Sequence, residues 1–406
     1  MTRRKWLGIG VAALMVGCKA RAGGDKEAGV NDLVAGDTAF GLDLYNQLRT
    51  GEGNRAIAPT SIATALAMAY AGARGDTAEQ MGRVLRVGQS AAAYHEGRAA
   101  LKAALAPPDG SSYQLRAADA LWGQSGEPFR QDYLELVRKH YGAGLHPADF
   151  AGDAGGSADR INAWVAEQTR DKIRNLVGPG SITPLTRLVL TDALYFLGNW
   201  LRPFDDKFTH DGPFHLAGGT DATVRMMNQL GRFRLFEADD LQVLELPYKD
   251  NVLAMWIALP READGLGKLE ASLTPERLAS WQAGLKDSRV QVTLPRFRME
   301  VASGLVPALK GLGMTAPFHD READFSGIGG RPHEYFLSDV LHKVFVDVNE
   351  RGTEAAAATA VVVGVRSAAP TDPPKQFRAD RPFLFLIRHN PTGAALFLGR
   401  VADPRG

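Results

Sequence analysis

The chain has 406 residues, 45% of them hydrophobic, enough to bury a large core; length alone suggests two or three domains. Its 47 basic and 46 acidic residues leave a formal charge of +1, which gives no reason to expect a nucleic acid or a polyanionic surface as partner. The single cysteine excludes a disulfide framework, so stability must come from packing.

Arg3, Arg4 and Lys5 precede an apolar run from Trp6 to Val16 that is too short to span a bilayer, the pattern of an export signal. Residues 1–18 are assigned to that signal. Met15-Val16-Gly17-Cys18 resembles a bacterial lipoprotein cleavage box, whereas Ala20-Arg21-Ala22 offers an ordinary small-x-small site. The first reading removes the signal before Cys18 and lipidates that cysteine, so membrane contact runs only through a lipid anchor on the periplasmic or outer face; the second gives a secreted protein. Thr2-Arg3-Arg4-Lys5-Trp6-Leu7 also resembles a twin-arginine export motif.

Residues 19–36 are rich in Gly, Ala and charge with no apolar period and are expected to form a flexible tether. The folded part is expected to start near Asp37, where Phe40, Leu44 and Leu48 recur at helical spacing. Pro59-Thr60-Ser61 opens an Ala-rich helix over Ile62–Ala73. Short apolar runs at Arg187–Leu197, Gln242–Leu246, Val252–Leu259, Val290–Leu294 and Val340–Val348 predict strands, with helices at Ile161–Lys172 and Pro275–Leu285 between them. No repeat or composition break divides the chain, so one α+β domain over 37–406 is expected against the length prior.

The stretch from Glu350 to Arg381 fits no secure element, and long unassigned loops inside compact domains are usually functional or disordered. From Thr353, every second residue is uncharged: Thr353, Ala355, Ala357, Thr359, Val361, Val363 and Val365. As a strand, one face could be buried completely. An Ala-rich helix followed by a Val-rich strand fits the same residues, and pattern alone does not choose between them.

The run Leu341-His342-Lys343-Val344-Phe345-Val346-Asp347-Val348-Asn349-Glu350-Arg351-Gly352-Thr353-Glu354-Ala355-Ala356-Ala357-Ala358-Thr359 resembles the most diagnostic stretch of the serpins. Further blocks fall in family order from Asp37 to Pro404: Asn54 with Ala58-Pro59-Thr60-Ser61-Ile62, Asp192 through Trp200 with Pro203-Phe204, Glu245-Leu246-Pro247-Tyr248, Leu294-Pro295-Arg296-Phe297, Leu312-Gly313-Met314, Arg381-Pro382-Phe383 and Leu398-Gly399-Arg400-Val401. The resemblance implies three β-sheets, about nine helices, and an exposed reactive loop at about 350–380 that inserts into the largest sheet. It also implies a suicide-substrate inhibitor that traps a serine endopeptidase as an acyl-enzyme, acting as a monomer without cofactor or metal.

Within that resemblance, Glu350, Gly352, Thr353, Glu354, Ala355, Ala356, Ala357, Ala358 and Thr359 form the hinge. Gly352 supplies backbone freedom and the small residues after it enter a sheet without steric demand. The family's spacing from the hinge glutamate puts the bait bond at Arg366 and Ser367, and an arginine there suits a trypsin-like pocket. A shifted register would offer Val363 or Val365 to an elastase-like enzyme; a cysteine protease target, or a serpin that has lost inhibition and serves as a binding or chaperone-like protein, are further alternatives. Ser61, Asp192 and His342 match a polar cluster beneath the opening sheet, and Trp200 matches the tryptophan where insertion begins, or is simply a core indole. Family members usually carry Asn at the Asp192 position; an Asp could pair with a protonated His342 and make opening pH-sensitive. No G-x-S-x-G, H-E-x-x-H or P-loop is present, so no enzyme is expected, and His95-Glu96 and His333-Glu334 are expected at the surface.

Overall fold

The computed structural model describes residues 16–142, 144–353 and 373–406. Nine α-helices lie among them: Val16–Leu48, Pro59–Gly72, Gly75–Val84, Ala91–Leu105, Gln131–Tyr141, Ala154–Gln168, Leu266–Ala271, Pro275–Gly284 and Val306–Gly311. The five strands and three helices expected from apolar pattern are all found, with ends displaced by up to seven residues, the most at the start of helix Ala154–Gln168. Helix 59–72 starts on Pro59, whose fixed φ and missing N–H suit a first helical position, and most of its residues are buried.

Residues 19–36 depart from expectation. They continue the first helix, which begins at Val16 instead of near Asp37. Leu33 and Val34 are buried along with Phe40 and Leu44, so the apolar stripe starts earlier than the glycines around it suggest. Arg98 of helix 91–105 then donates to both carboxylate oxygens of Asp37, at 2.6 and 2.5 Å, and ties the two helices together.

Among the described residues the strands form two hydrogen-bonded networks, of nine and seven strands, and the nine-stranded one consists of two blocks joined through one long strand. Strand Asp221–Glu237 makes the join: its first residues pair with His210–His215, its middle with Lys286–Pro295 and its end with Leu241–Pro247. The seven-stranded sheet is built around Leu188–Asn199, buried along nearly its whole length. Leu188 and Leu190 join the core beneath the helices, whereas Val189, Ala193 and Tyr195 pack in a second cluster with Ile161 and Val165 of helix 154–168. Cover on both faces explains why this strand reads as an uninterrupted apolar run.

His95, expected at the surface, is buried at 3% exposure. Its ring sits edge-on to Tyr94 and Tyr141, with Nδ1 2.5 Å from the Tyr141 hydroxyl. Its place on the inner face of helix 91–105, beside Tyr94 and Arg98, overrides its polarity. His333 is exposed as expected.

Candidate functional site

Strand Leu337–Asn349 runs parallel to Leu188–Asn199, paired from Leu337 with Leu188 to Phe345 with Tyr195. Beyond Phe345 the two separate, and Gly352-Thr353 enters the fork. Thr353 pairs with Val348 on one side and Gly198 on the other, and Gly352 with Asn349 and Asn199, antiparallel to both. The sheet therefore holds a parallel seam that already accepts two residues of the following segment. A parallel ladder is slightly less stable per residue than an antiparallel one, so each residue added replaces one parallel contact by two antiparallel ones.

Side chains at the fork fit this placement. A Cβ on Gly352 would lie 1.9 Å from the Gly198 carbonyl oxygen, so only glycine passes there. Thr353 is fully buried, and its hydroxyl shares a 2.7 Å hydrogen bond with the Tyr248 hydroxyl. Tyr248 stacks on Trp200 at 4.5 Å, and Trp200 Nε1 donates to the Asn349 carbonyl at 3.0 Å while its backbone N–H donates to Arg351. Trp200 is thus a core indole that also holds the turn between the two arms of the fork.

Glu350 anchors the same turn. Its Oε1 accepts from Arg296 Nε at 2.6 Å and from the Thr209 hydroxyl at 2.5 Å, at 3% exposure. Burial pushes its carboxyl up, but the hydrogen bonds from Arg296 and Thr209 outweigh this and hold it below the ordinary glutamate value.

Matches to known proteins agree with this arrangement. A family model described as serpin (serine protease inhibitor) matches residues 35–404. A serpin-like protein of Thermococcus kodakarensis is 41% identical over 94% of this chain and 88% of its own, and a leukocyte elastase inhibitor of Xenopus tropicalis is 38% identical over 92% and 100%. The crystal structure of Serpin48 from Tenebrio molitor superposes with a TM-score of 0.81 at 34% identity, over 94% of this chain and 98% of that one.

The chain is a serpin. It is a member of a family of protease inhibitors and not an enzyme.

The polar cluster of this serpin lies beneath the parallel seam. The Ser61 hydroxyl is 2.6 Å from Asp192 Oδ1 and 3.1 Å from Asp119 Oδ1, and His342 Nδ1 is 2.9 Å from Asp192 Oδ2. His342 Nε2 accepts the Ala58 backbone N–H at 3.2 Å. One ring nitrogen accepts, so the other carries the proton and donates to Asp192; the ring is neutral. A charged His342, as the sequence reading envisaged, requires the Ala58 contact to break. Burial and the neighbouring Asp192 carboxylate push the Asp119 carboxyl well up.

The structure brings together Ser61, Asp192 and His342 in one cluster and Trp200, Glu350, Gly352 and Thr353 in another. Glu354, Ala355 to Ala358, Thr359, Arg366 and Ser367 lie outside the described residues, and the Cys18 backbone falls in the first helix. Sequence reasoning missed roles for Tyr248, Asp119, Thr209 and Arg296. Tyr248 and Arg296 stood inside quoted family blocks, but nothing in chain order joins them to residues about a hundred and about fifty positions later.

Proposed function

We propose that this serpin is a suicide-substrate inhibitor of an Arg-specific, trypsin-like serine endopeptidase, with its bait bond between Arg366 and Ser367. The observation that carries the reading is the fork at Gly352-Thr353, where the hinge is seated between two parallel strands and antiparallel to each. Strand insertion of this kind is established for serpins as a family.

The protease supplies the nucleophile. Its serine oxygen attacks the Arg366 carbonyl, an ester forms, the amide to Ser367 breaks, and the proton passes to the leaving amine as the new N-terminus. Severing that bond frees the segment after Thr353 to follow the hinge into the seam, carrying the acylated protease along. Backbone hydrogen bonds worth about 0.5 to 1.5 kcal/mol each are offset by about 1 to 2 kcal/mol of entropy per residue ordered. Exchange of a parallel seam for two antiparallel ones, and burial of Ala and Val side chains at about 25 cal/mol per Å², then set the sign.

Incubation with trypsin, denaturing electrophoresis and mass spectrometry of the released peptide test this. A covalent complex with a peptide starting at Ser367 is expected; cleavage without a complex overturns inhibition of this class. The leukocyte elastase inhibitors among the relatives favour a second reading, with the bond after Val363 or Val365. Complex formation with elastase alone, and a peptide starting at Gly364 or Arg366, would select it.

Export with lipidation at Cys18 belongs to the same proposal. No helix among the described residues is long and apolar enough to cross a membrane. Detergent-phase partitioning of the expressed protein, lost in Cys18→Ala, is the expected result.

A further inference from the structure

Three arginines are buried among the described residues, and two are answered by carboxylates. Arg98 donates to Asp37 and Arg400 to Glu270. Arg388 is 8% exposed, and its guanidinium forms no hydrogen bond with any described residue. Its guanidinium carbon lies over the Trp256 ring, 4.5 Å from the centroid.

Glu245 is the acid that acts on Arg388 electrostatically, and its hydrogen bonds go to other groups. Arg234 donates to both its oxygens at 3.0 and 3.3 Å, and Trp256 Nε1 donates to Oε2 at 2.9 Å. One carboxylate thus faces two guanidiniums. Burial lowers the Arg388 pKa below the ordinary arginine value, with Glu245 opposing and Arg234 adding to the shift. Arginine stays charged in proteins, and none of the Arg388 nitrogens is both sealed from solvent and unpartnered, so the group is open to the cavity beside it.

Arg388 borders a cavity of about 380 Å³. Its charged lining is Arg202, Arg232, Arg234 and Arg388 against Glu245 and Asp287, an excess of two positive charges (4 − 2). Asp287 is held by Arg232 and Arg202 is exposed, so one surplus positive charge stays with Arg234, Arg388 and Glu245. Buried Trp200, Phe233 and Leu246 supply an apolar wall. The volume exceeds that of a bare ion and falls in the range of small organic ligands.

We propose that this cavity is a binding site for a small organic oxyanion, a carboxylate or phosphate monoester, whose charged end is held by the fork of Arg388. A planar guanidinium offers two parallel N–H donors to either group, and the Trp256 ring beside it adds a cation–π contact. The apolar wall takes the organic body.

Isothermal titration of the full chain with phenyl phosphate, benzoate and inorganic phosphate tests this, comparing the wild type with Arg388→Met and Arg388→Lys. Saturable binding of phenyl phosphate or benzoate is expected, with inorganic phosphate weaker for want of the apolar contact. Stronger phenyl phosphate identifies a monoester site, and stronger benzoate a carboxylate site. Arg388→Met should weaken the preferred ligand at least about tenfold, as loss of charge-assisted hydrogen bonds implies. Arg388→Lys, which keeps the charge and loses the fork, should fall between, and remains the test if Arg388→Met fails to fold. Absence of saturable heat with all three ligands, or equal Kd values in wild type and both variants, overturns the proposal.

Discussion

The Tyr248 hydroxyl and the Thr353 hydroxyl lie 2.7 Å apart, both fully buried, and each is the other's hydrogen-bond partner. The pair fastens the first inserted side chain to the layer beneath the sheet. Burial pushes the Tyr248 phenol far up, with the Thr353 bond only partly opposing it, so Tyr248 stays neutral at any pH the fold survives.

Tyr248→Phe leaves the Thr353 hydroxyl buried without a partner, a cost of about 1 to 3 kcal/mol that withdrawal of the hinge relieves. Amide hydrogen exchange at Gly352 and Thr353 should therefore speed up by roughly 10- to 100-fold, with the distant core unchanged. Unchanged exchange would show that the backbone ladder alone holds the hinge.

Thr353→Arg sets a long charged side chain where there is no exposure. The hinge can leave the fork, so the native fold survives, but insertion after cleavage must bury a guanidinium. Trypsin should cleave the variant without forming a gel-stable complex. Survival of that complex would contradict the entry order of the loop.

Asp192→Asn removes one of two carboxyls bonded to Ser61. In the wild type, burial and Asp192 raise the Asp119 pKa on folding. A raised folded pKa means stability is fully present below the ordinary aspartate value and is lost as pH rises through the folded value. The variant should flatten that loss, measured as urea midpoints from mildly acid to alkaline pH. A profile parallel to the wild type's would mean the two acids do not share their proton.

His95 carries the opposite sign. Burial, then His140 and Arg98, lower its pKa from 6.5 to about 4. The folded state excludes a proton the unfolded chain accepts, so stability is present above the ordinary value of 6.5 and is lost as pH falls toward 4, by about 3 kcal/mol in all. His95→Gln should be less stable at neutral pH but lose less between neutral pH and pH 4. Equal slopes in the two proteins would exclude His95 as the source.

Much of the site could be read from residue order. The apolar runs at 188–199 and 337–349 announce doubly covered strands, and the small residues after Gly352 announce a segment able to enter a sheet. The first helix was misplaced because Gly29 and Gly36 hid the stripe carried by Leu33 and Val34. His95 was misplaced because a polar side chain on one helix gives no sign of the tyrosines that come to it from elsewhere.

The hinge and the bond proposed for attack are what the family resemblance implies; by itself the sequence carried the family's blocks and the pattern of a single α+β domain. Those properties reside in residues near one another in the chain, where period and size leave a direct trace. Tertiary structure alone decided that Thr353 meets Tyr248, that Ser61 touches two carboxyls, that His342 is neutral and that no carboxylate hydrogen-bonds the Arg388 guanidinium. Each depends on a partner far away in the chain, and hydrogen bonds and charges are settled by the atoms that folding places within about 3 Å, which linear order does not record.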